Sequence, residues 1–277
     1  MAKKKTTQVK RKKISLETRE QIQKLTLMNN AFMNLALENN IPCVEEMLHV
    51  ILGKSDLTVK KVQTQRMFQG FSRSIYLDVF AEDSKEVLYN IEIQQADEGA
   101  DPRRTRFHTG MIDVHSLKAG QDFKELPEVY VIFITLNDTL KLNQTIYTIH
   151  KYVDRSMKPF NDGSHLIYIN GSAEDDGTEI WKLVHDLRST KADEMYFPRL
   201  AARVKFLKED EEGIMTVSNY FEEREAKAVK EAEKRAANRE KESLVLNLIN
   251  MGKMSLEDIA KCSGLTLKKV QTLASML

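Results

Sequence analysis

The sequence predicts an α/β protein in which strands alternate with helices, followed by a charged helix and a small helical unit. Apolar and polar side chains alternate with a period of two over residues 74–81 and 88–94, which is typical of strands. Residues 129–134 are continuously apolar, as in a central strand that is covered on both faces. Apolar residues recur at helical spacing over residues 180–187, which indicates that helices accompany the strands.

The N-terminal segment combines a basic tail with helical patterns. Residues 1–13 hold seven Lys or Arg and no acid, so they predict either a solubilising tail or a contact with nucleic-acid phosphates. Helical spacing extends over residues 15–52, where Pro42 interrupts the pattern and Gly53 ends it.

A first strand is predicted at residues 59–65, before the two alternating strands. The polar residues 82–86 predict a turn, so the strands on either side of it are expected to pair as a hairpin. A helix should follow, because Asp101 is suited to its N-cap and Pro102 to its first turn. This helix is expected to run to about Leu117.

Two further strands, at residues 145–152 and 165–169, and a helix at residues 198–208 follow the central strand. Residues 222–242 then change in character, because seven acids and seven bases are interleaved with alanines and almost no apolar stripe develops. Such a pattern is typical of a solvated connecting helix, and self-association through this helix is the alternative.

Residues 243–277 predict a small unit of their own. Ser255 resembles the start of a capping box, and Gly264 is placed to end the helix that follows it. Two short helices around a turn that contains glycine are the helix-turn-helix pattern. Lys268 and Lys269 lie at the start of the second helix, where a DNA-reading helix makes its contacts. The alternative is an interaction module without DNA contact.

Composition excludes several classes of protein. Lys and Arg number 42 against 41 Asp and Glu, so the bulk charge favours no partner. Cys43 and Cys262 are far apart in sequence, which predicts a reducing compartment and no disulfide framework. There is no signal-peptide pattern and no apolar run near the ~18 residues of a membrane span. We therefore expect a cytoplasmic protein that does not contact membranes.

Three side chains on the predicted hairpin form the candidate catalytic site. Successive side chains on a strand point to opposite faces, so Glu92 and Gln94 project side by side. Pairing of the hairpin would place Asp78 across from them. Two carboxylates and an amide oxygen suit a hard divalent cation such as Mg²⁺.

The alternative is that these carboxylates are ordinary solvated positions on half-exposed strands. Tyr76 and Phe80 flank Asp78 on its own face, which favours partial burial. A buried and unpaired carboxylate is costly unless a cation or hydrogen bonds compensate it.

Several stretches in order resemble the PD-(D/E)XK nuclease superfamily, close to its branch of transposase-like, recombination-promoting nucleases, the Rpn family. The resemblance covers roughly residues 25–215 and then the small C-terminal unit. The stretches that carry it are residues 25–33, 89–94, 103–107, 126–135 and 167–171.

The resemblance implies a restriction-endonuclease-like mixed sheet flanked by helices, and metal-dependent cleavage of DNA phosphodiester bonds. It implies that Asp78 and Glu92 hold Mg²⁺, with Mn²⁺ as the alternative ion. Gln94 stands where many relatives have lysine. Glutamine has no charge to offer, although its amide can position water, so metal ions would carry more of the electrostatic work.

Arginines of the helix after the signature strand are candidates for binding substrate. Arg104 or Arg106 would bind a phosphate, because guanidinium groups bind it in a bidentate manner, and Arg103 is an auxiliary candidate. The alternative is that they pair with nearby carboxylates, such as Asp97, Glu98 or Asp101.

The sequence departs from the family pattern at two places. Asn30 stands where the family commonly has an acidic residue, so it brings a carbonyl oxygen but no charge. Phe107 and His108 stand where an aromatic pair is usual. His108 is either a proton carrier, since imidazoles titrate near neutral pH, or a packed or surface histidine.

The domain organisation follows from these assignments. We expect a basic tail and the start of the first helix at residues 1–24, and a nuclease-like domain at residues 25–215. A charged helical linker is expected at residues 216–242, before the helix-turn-helix-like unit at residues 243–277.

The expected function is a metal-dependent DNA endonuclease linked to recombination, mobile DNA or genome defence. DNA is the expected partner, with self-association into a homo-oligomer as a further hypothesis. The alternative is a catalytically weak or inactive DNA-binding or regulatory protein on a nuclease fold, which Asn30 favours. A third hypothesis is an assembly module in which residues 222–277 mediate self-association.

Overall fold

A six-stranded mixed sheet forms the centre of the first of two units in this computed structural model, which describes residues 14–70, 72–95 and 100–275. The units are Met1–Ser218 and Asn219–Leu277. The predicted basic tail lies outside the described residues. Among the helices described, none is long and apolar enough to cross a membrane.

The sheet has the order β1-β2-β3-β4-β8-β5. The pairs β3/β4 and β4/β8 are parallel, whereas β1/β2, β2/β3 and β5/β8 are antiparallel. A separate two-stranded hairpin consists of β6 and β7. The strands are β1 (Val59–Phe68), β2 (Ile75–Asp83), β3 (Leu88–Gln94), β4 (Val129–Thr135), β5 (Ile146–Ile149), β6 (Tyr152–Val153), β7 (Lys158–Pro159) and β8 (Ser164–Asn170).

Helices cover this sheet and continue the chain beyond it. The predicted helical stretch over residues 15–52 is three helices, because Asn29 and Asn40 each cap a new start. The helices are α1 (Leu16–Lys24), α2 (Asn30–Leu37), α3 (Ile41–Leu52), α4 (Pro102–Ser116), α5 (Glu179–Arg188), α6 (Pro198–Glu209), α7 (Glu211–Met251), α8 (Leu256–Ser263) and α9 (Leu267–Ala274).

The central strand β4 is buried along its whole length, which confirms the prediction from its continuous apolar run. On one face, Ile112 of α4 packs into a core with Val131 and Phe133 of β4 and Tyr168 of β8. The helix α4 has Asp101 as its N-cap and proline in its first turn, as predicted. Its position over the sheet brings its first turns to the carboxyl end of β3.

The charged segment and the first helix of the C-terminal unit are one continuous helix, α7. The expected boundary at residue 243 therefore lies inside a helix and does not begin a new one. No proline or glycine interrupts residues 222–251, and good helix formers fill them, so nothing ends the helix before Gly252 with its φ of 64°.

The two short helices at the C-terminus agree with their predicted caps. Ser255 accepts a hydrogen bond from the main-chain N–H of Asp258, and Gly264 ends α8 with a φ of 67°. Thr266 caps α9. A small core of five buried residues joins these helices to α7, namely Val245, Ile259, Ala260, Val270 and Leu273.

A buried lysine fastens the N-terminal helices to α6. The ammonium group of Lys208 donates to the carbonyl oxygens of Gln23 (3.0 Å), Leu25 and Thr190 (2.6 Å). All three donors of an ammonium group therefore have acceptors, which offsets the cost of burying its charge.

Replacing Lys208 by methionine should destabilise the fold by about 2–4 kcal/mol, because three buried carbonyl groups lose a charged donor. Urea denaturation would measure the change in the free energy of unfolding. The matched control is Lys205→Met, one turn earlier, where the lysine is exposed beside Asp193. A loss of stability no larger than in the control would contradict this assignment.

Candidate functional site

The two predicted carboxylates meet where β2 and β3 separate. Main-chain pairing runs from Glu82 opposite Leu88 to Val79 opposite Ile91. Continuing this register by one residue places Asp78 opposite Glu92, which confirms the predicted hairpin.

Side chains replace main-chain acceptors at this point. The N–H of Asp78 donates to Glu92 Oε1 (3.1 Å), and the N–H of Ile93 donates to Asp78 Oδ2 (3.2 Å). Each carboxylate thus accepts a hydrogen bond from the main chain of the strand that carries the other carboxylate. This exchange holds both side chains at the point where β2 and β3 separate.

Both carboxylates are nearly inaccessible to solvent. Asp78 is 6% exposed and Glu92 is 1% exposed. Burial, followed by repulsion from Glu92, raises the pKa of Asp78 to about 6, against hydrogen bonds that favour its ionised form. A cation between the two groups would relieve this repulsion.

Gln65 on β1 completes a row of three side chains across neighbouring strands. Thr64 pairs with Val79 and Arg66 pairs with Leu77, so Gln65 faces Asp78 in the same register. Its Nε2 donates to Asp78 Oδ1 (2.9 Å), and its φ of 51° is unusual for a residue other than glycine.

Gln65 was not predicted as a site residue, since the sequence pattern placed it only at the end of a strand. No local sequence pattern predicts a left-handed backbone conformation at this glutamine, because its side chain contacts a partner on another strand.

Asn30 also contacts the Asp78 carboxylate, from the first residue of α2. Its Oδ1 accepts a hydrogen bond from Asn34 Nδ2 (2.8 Å), so its NH₂ group is the part that faces Asp78. In this arrangement Asn30 is a donor to the carboxylate. Its carbonyl oxygen is engaged by Asn34, and a contact of that oxygen with a metal stays a prediction.

The helix α4 brings a cation and an imidazole to Glu92. Arg104 Nη2 lies 3.8 Å from Glu92 Oε2, and its Nη1 donates to Gln94 Oε1 (3.2 Å). His108 is buried, with Nδ1 3.5 Å from Glu92 Oε1 and 3.2 Å from the Asn90 amide. Arg104 Nε donates to His108 Nε2 (3.4 Å), so Nε2 is the acceptor in that contact.

A cleft of about 770 Å³ opens beside Asp78 and is lined by four arginines. Arg103, Arg104 and Arg106 come from α4, and Arg73 comes from the connection before β2. Arg73 was not predicted, because its surroundings carry no periodic pattern. Of the alternative partners for these arginines, Asp101 caps α4 by accepting from the N–H of Arg103 (2.7 Å). Two others, residues 97 and 98, lie outside the described residues.

The two lysines predicted to contact DNA belong to the second unit. Lys268 and Lys269 are both exposed on α9. Lys269 forms an ion pair with Glu242 of α7 (2.8 Å), which partly compensates its charge within the unit.

Comparison with known protein families decides the classification. The family model described as PD-(D/E)XK nuclease family transposase matches residues 35–248. The chain belongs to this family. No curated protein and no solved structure gave a match. Membership gives the chain a nuclease-related or mobile-DNA-related function, and the mixed sheet with flanking helices agrees with the PD-(D/E)XK fold.

PD-(D/E)XK nucleases generally use divalent metal ions, and Asp78 and Glu92 are the carboxylates that could hold such an ion in this chain. Within the described residues, no group of three or more His, Cys, Asp or Glu is arranged to hold a metal. Two buried, mutually repelling carboxylates nevertheless fit a hard cation that retains several waters. The fit therefore rests on two protein ligands.

Replacing Gln65 by leucine should raise the pKa of Asp78 further, because the ionised carboxylate loses a donor at similar side-chain volume. The titration of the Asp78 carboxyl carbon, followed by NMR, would measure this change. Gln63→Leu is the matched control on the same strand, two residues earlier and opposite Phe80. An unchanged Asp78 titration in Gln65→Leu would show that the contact does not act on the carboxylate.

Asp78→Asn should stabilise the protein increasingly as the pH rises. The folded pKa of about 6 lies above the ordinary value of 3.8, so folding favours the protonated carboxyl. Ionisation therefore costs the wild type stability, progressively from about pH 4 to about pH 6 and fully above that. Asparagine does not ionise, and the difference in unfolding free energy should grow by about 2–3 kcal/mol across this window.

Urea denaturation at a series of pH values would measure that difference. Asp154→Asn, at an exposed aspartate, controls for the substitution itself. A difference between Asp78→Asn and the wild type that does not vary with pH would mean that the pKa of Asp78 is not raised.

Proposed function

We propose that this chain is a metal-dependent DNA endonuclease that hydrolyses phosphodiester bonds with Asp78 and Glu92 as the metal ligands. The observation that carries the proposal is the pair of desolvated carboxylates that exchange main-chain hydrogen bonds beside a cleft lined by arginines. Desolvated carboxylates this close together gain from a divalent cation, and anionic substrate would be held by the arginines.

The proposed ion is Mg²⁺, or Mn²⁺ in its place. Oxygen ligands from only two side chains suit Mg²⁺, because this ion retains several of its waters in proteins. When bound, it would supply Lewis acidity at the phosphate and lower the pKa of a coordinated water.

Gln94 would act where many relatives have a lysine. Its Oε1 accepts from Arg104, which turns its NH₂ group away from that arginine and toward any water or phosphate oxygen in the site. It would orient the attacking water without contributing charge. Arg104 would compensate for the missing charge, since it contacts both Gln94 and Glu92.

His108 would position Glu92 and would not carry protons to solvent. It is buried, it accepts from Arg104, and its Nδ1 faces Glu92. Arg103 and Arg106, both exposed in the cleft, would bind phosphates on either side of the scissile bond.

Membership in a nuclease family of transposases supports a role in recombination, mobile DNA or genome defence. The C-terminal unit would add affinity for DNA through Lys268 on α9, which is exposed, whereas Lys269 already has Glu242 as a partner. Contact with phosphates is the chemistry that such lysines supply.

One observation favours a second function, a DNA-binding regulator without catalysis. Asn30 and Gln94 are neutral where the family commonly has an acid and a lysine, and both amides are engaged in side-chain contacts. A site that lacks both the acidic and the basic side chain would bind DNA through its arginines and leave the phosphodiester bond intact.

A plasmid-nicking assay with Mg²⁺, Mn²⁺ or EDTA should detect cleavage by the wild type only with a metal. Asp78→Ala and Glu92→Ala should each reduce the rate by about 100-fold or more, because loss of a direct ligand should cost at least as much as loss of its supporting groups. Asp154→Ala, which removes an exposed carboxylate, should retain the wild-type rate.

Thermal unfolding with and without Mg²⁺ would report metal binding apart from activity. The metal should raise the Tm of the wild type and not that of Asp78→Ala. Absence of cleavage in every metal, from folded protein that still binds DNA, would reject the endonuclease and support the regulator. Cleavage that persists in both ligand variants would reject the assigned site.

A further inference from the structure

We infer that the cleft beside Asp78 binds an unpaired segment of DNA, as in a single strand or an underwound region of a supercoiled plasmid, in preference to a fully paired duplex. This inference rests on the proposed function, because it names the substrate of the same site. Two exposed aromatic rings that share the cleft with the arginines point to it.

Tyr76 and Phe107 are the aromatic residues at issue. Tyr76 is 57% exposed and lies on β2, two residues before Asp78, and Phe107 is 41% exposed on α4. Both line the cleft that Asp78 and the four arginines line. Met67, which pairs with Tyr76 on β1, is also exposed, so this end of the β1/β2 pair carries apolar surface beside Tyr76.

Aromatic rings interleaved with arginines are the surface that single strands require. An unpaired base can stack on an aromatic side chain, whereas the bases of a duplex are already stacked on one another. Arginines alone would serve a duplex equally well, because phosphate contacts carry no preference for strandedness. The two aromatic rings are therefore the feature that favours a single strand over a duplex.

The burial of the two carboxylates also favours unpaired DNA as the substrate. Asp78, which lines the cleft, is 6% exposed and Glu92 opposite it is 1% exposed, so a phosphate must enter the cleft to approach them. A single strand can bend inward and turn its bases onto Tyr76 and Phe107. A duplex would have to be distorted or unpaired first, at an energetic cost.

Phe107 is placed for this role by the periodicity of α4. It follows Arg103 by four residues and Arg104 by three, so the ring and these guanidinium groups are neighbours on one side of the helix. Base stacking and phosphate binding could then act on adjacent parts of one strand.

Fluorescence anisotropy in EDTA would test the inference, because binding is then measured without cleavage. The probes are a labelled single strand of about 15 nucleotides and the duplex of the same sequence. The wild type should bind the single strand more tightly. Tyr76→Ala and Phe107→Ala should each weaken single-strand binding about five-fold or more and leave duplex binding within about two-fold.

Two controls separate stacking from damage to the fold. Tyr76→Phe keeps the ring and should retain single-strand affinity. Phe123→Ala removes a ring that is 80% exposed outside the cleft and should change neither affinity.

Equal affinity of the wild type for both probes, or equal losses on both probes in the alanine variants, would overturn the inference. Failure of the proposed function looks different, since nicking would then be absent in every metal while ring-dependent binding of the single strand persisted. Efficient metal-dependent cleavage of duplex with no effect of either ring would leave the endonuclease standing and reject this substrate.

Discussion

The reciprocal hydrogen bonding between Asp78 and Glu92 is the constraint on which the rest of the site depends. Main-chain N–H groups must find acceptors when they are buried, and β2 and β3 stop supplying them to each other beyond Val79. The two carboxylates take over, each accepting from the opposite strand. The groups proposed to hold the metal are therefore also part of the sheet, so their geometry is fixed before any ligand arrives.

The helix α4 links this constraint to the hydrophobic core. Ile112 packs beneath it against the sheet, while one to two turns earlier Arg104 and His108 reach Glu92. The packing that stabilises the fold thus sets the distance between the basic wall of the cleft and the carboxylates. The N-cap at Asp101 determines where this helix begins and hence which residues of its first turns face the site.

Local sequence patterns predicted the β2/β3 hairpin and the start of α4. The alternation around Asp78 and Glu92 gave the hairpin, and the Asp101 cap gave the start of α4, because these features depend on neighbours in sequence. The contact of Gln65 with Asp78 depends on pairing across strands, and no pattern in the sequence reports it. No helix ends at the boundary expected at residue 243, because a change in composition, from charged to apolar, does not by itself end a helix.

The two departures from the family pattern balance each other electrostatically. Where the family commonly has an acid at Asn30 and a lysine at Gln94, this chain has two neutral amides, so one negative and one positive charge are lost together. An acid at position 30 would face the Asp78 carboxylate and raise its pKa still further, whereas the asparagine NH₂ donates to it. Without the lysine, Arg104 is the cation near both Glu92 and Gln94. The net charge of the site would be the same as with the acid and the lysine, so the two neutral amides agree with the proposed binding of a divalent cation by the carboxylate pair.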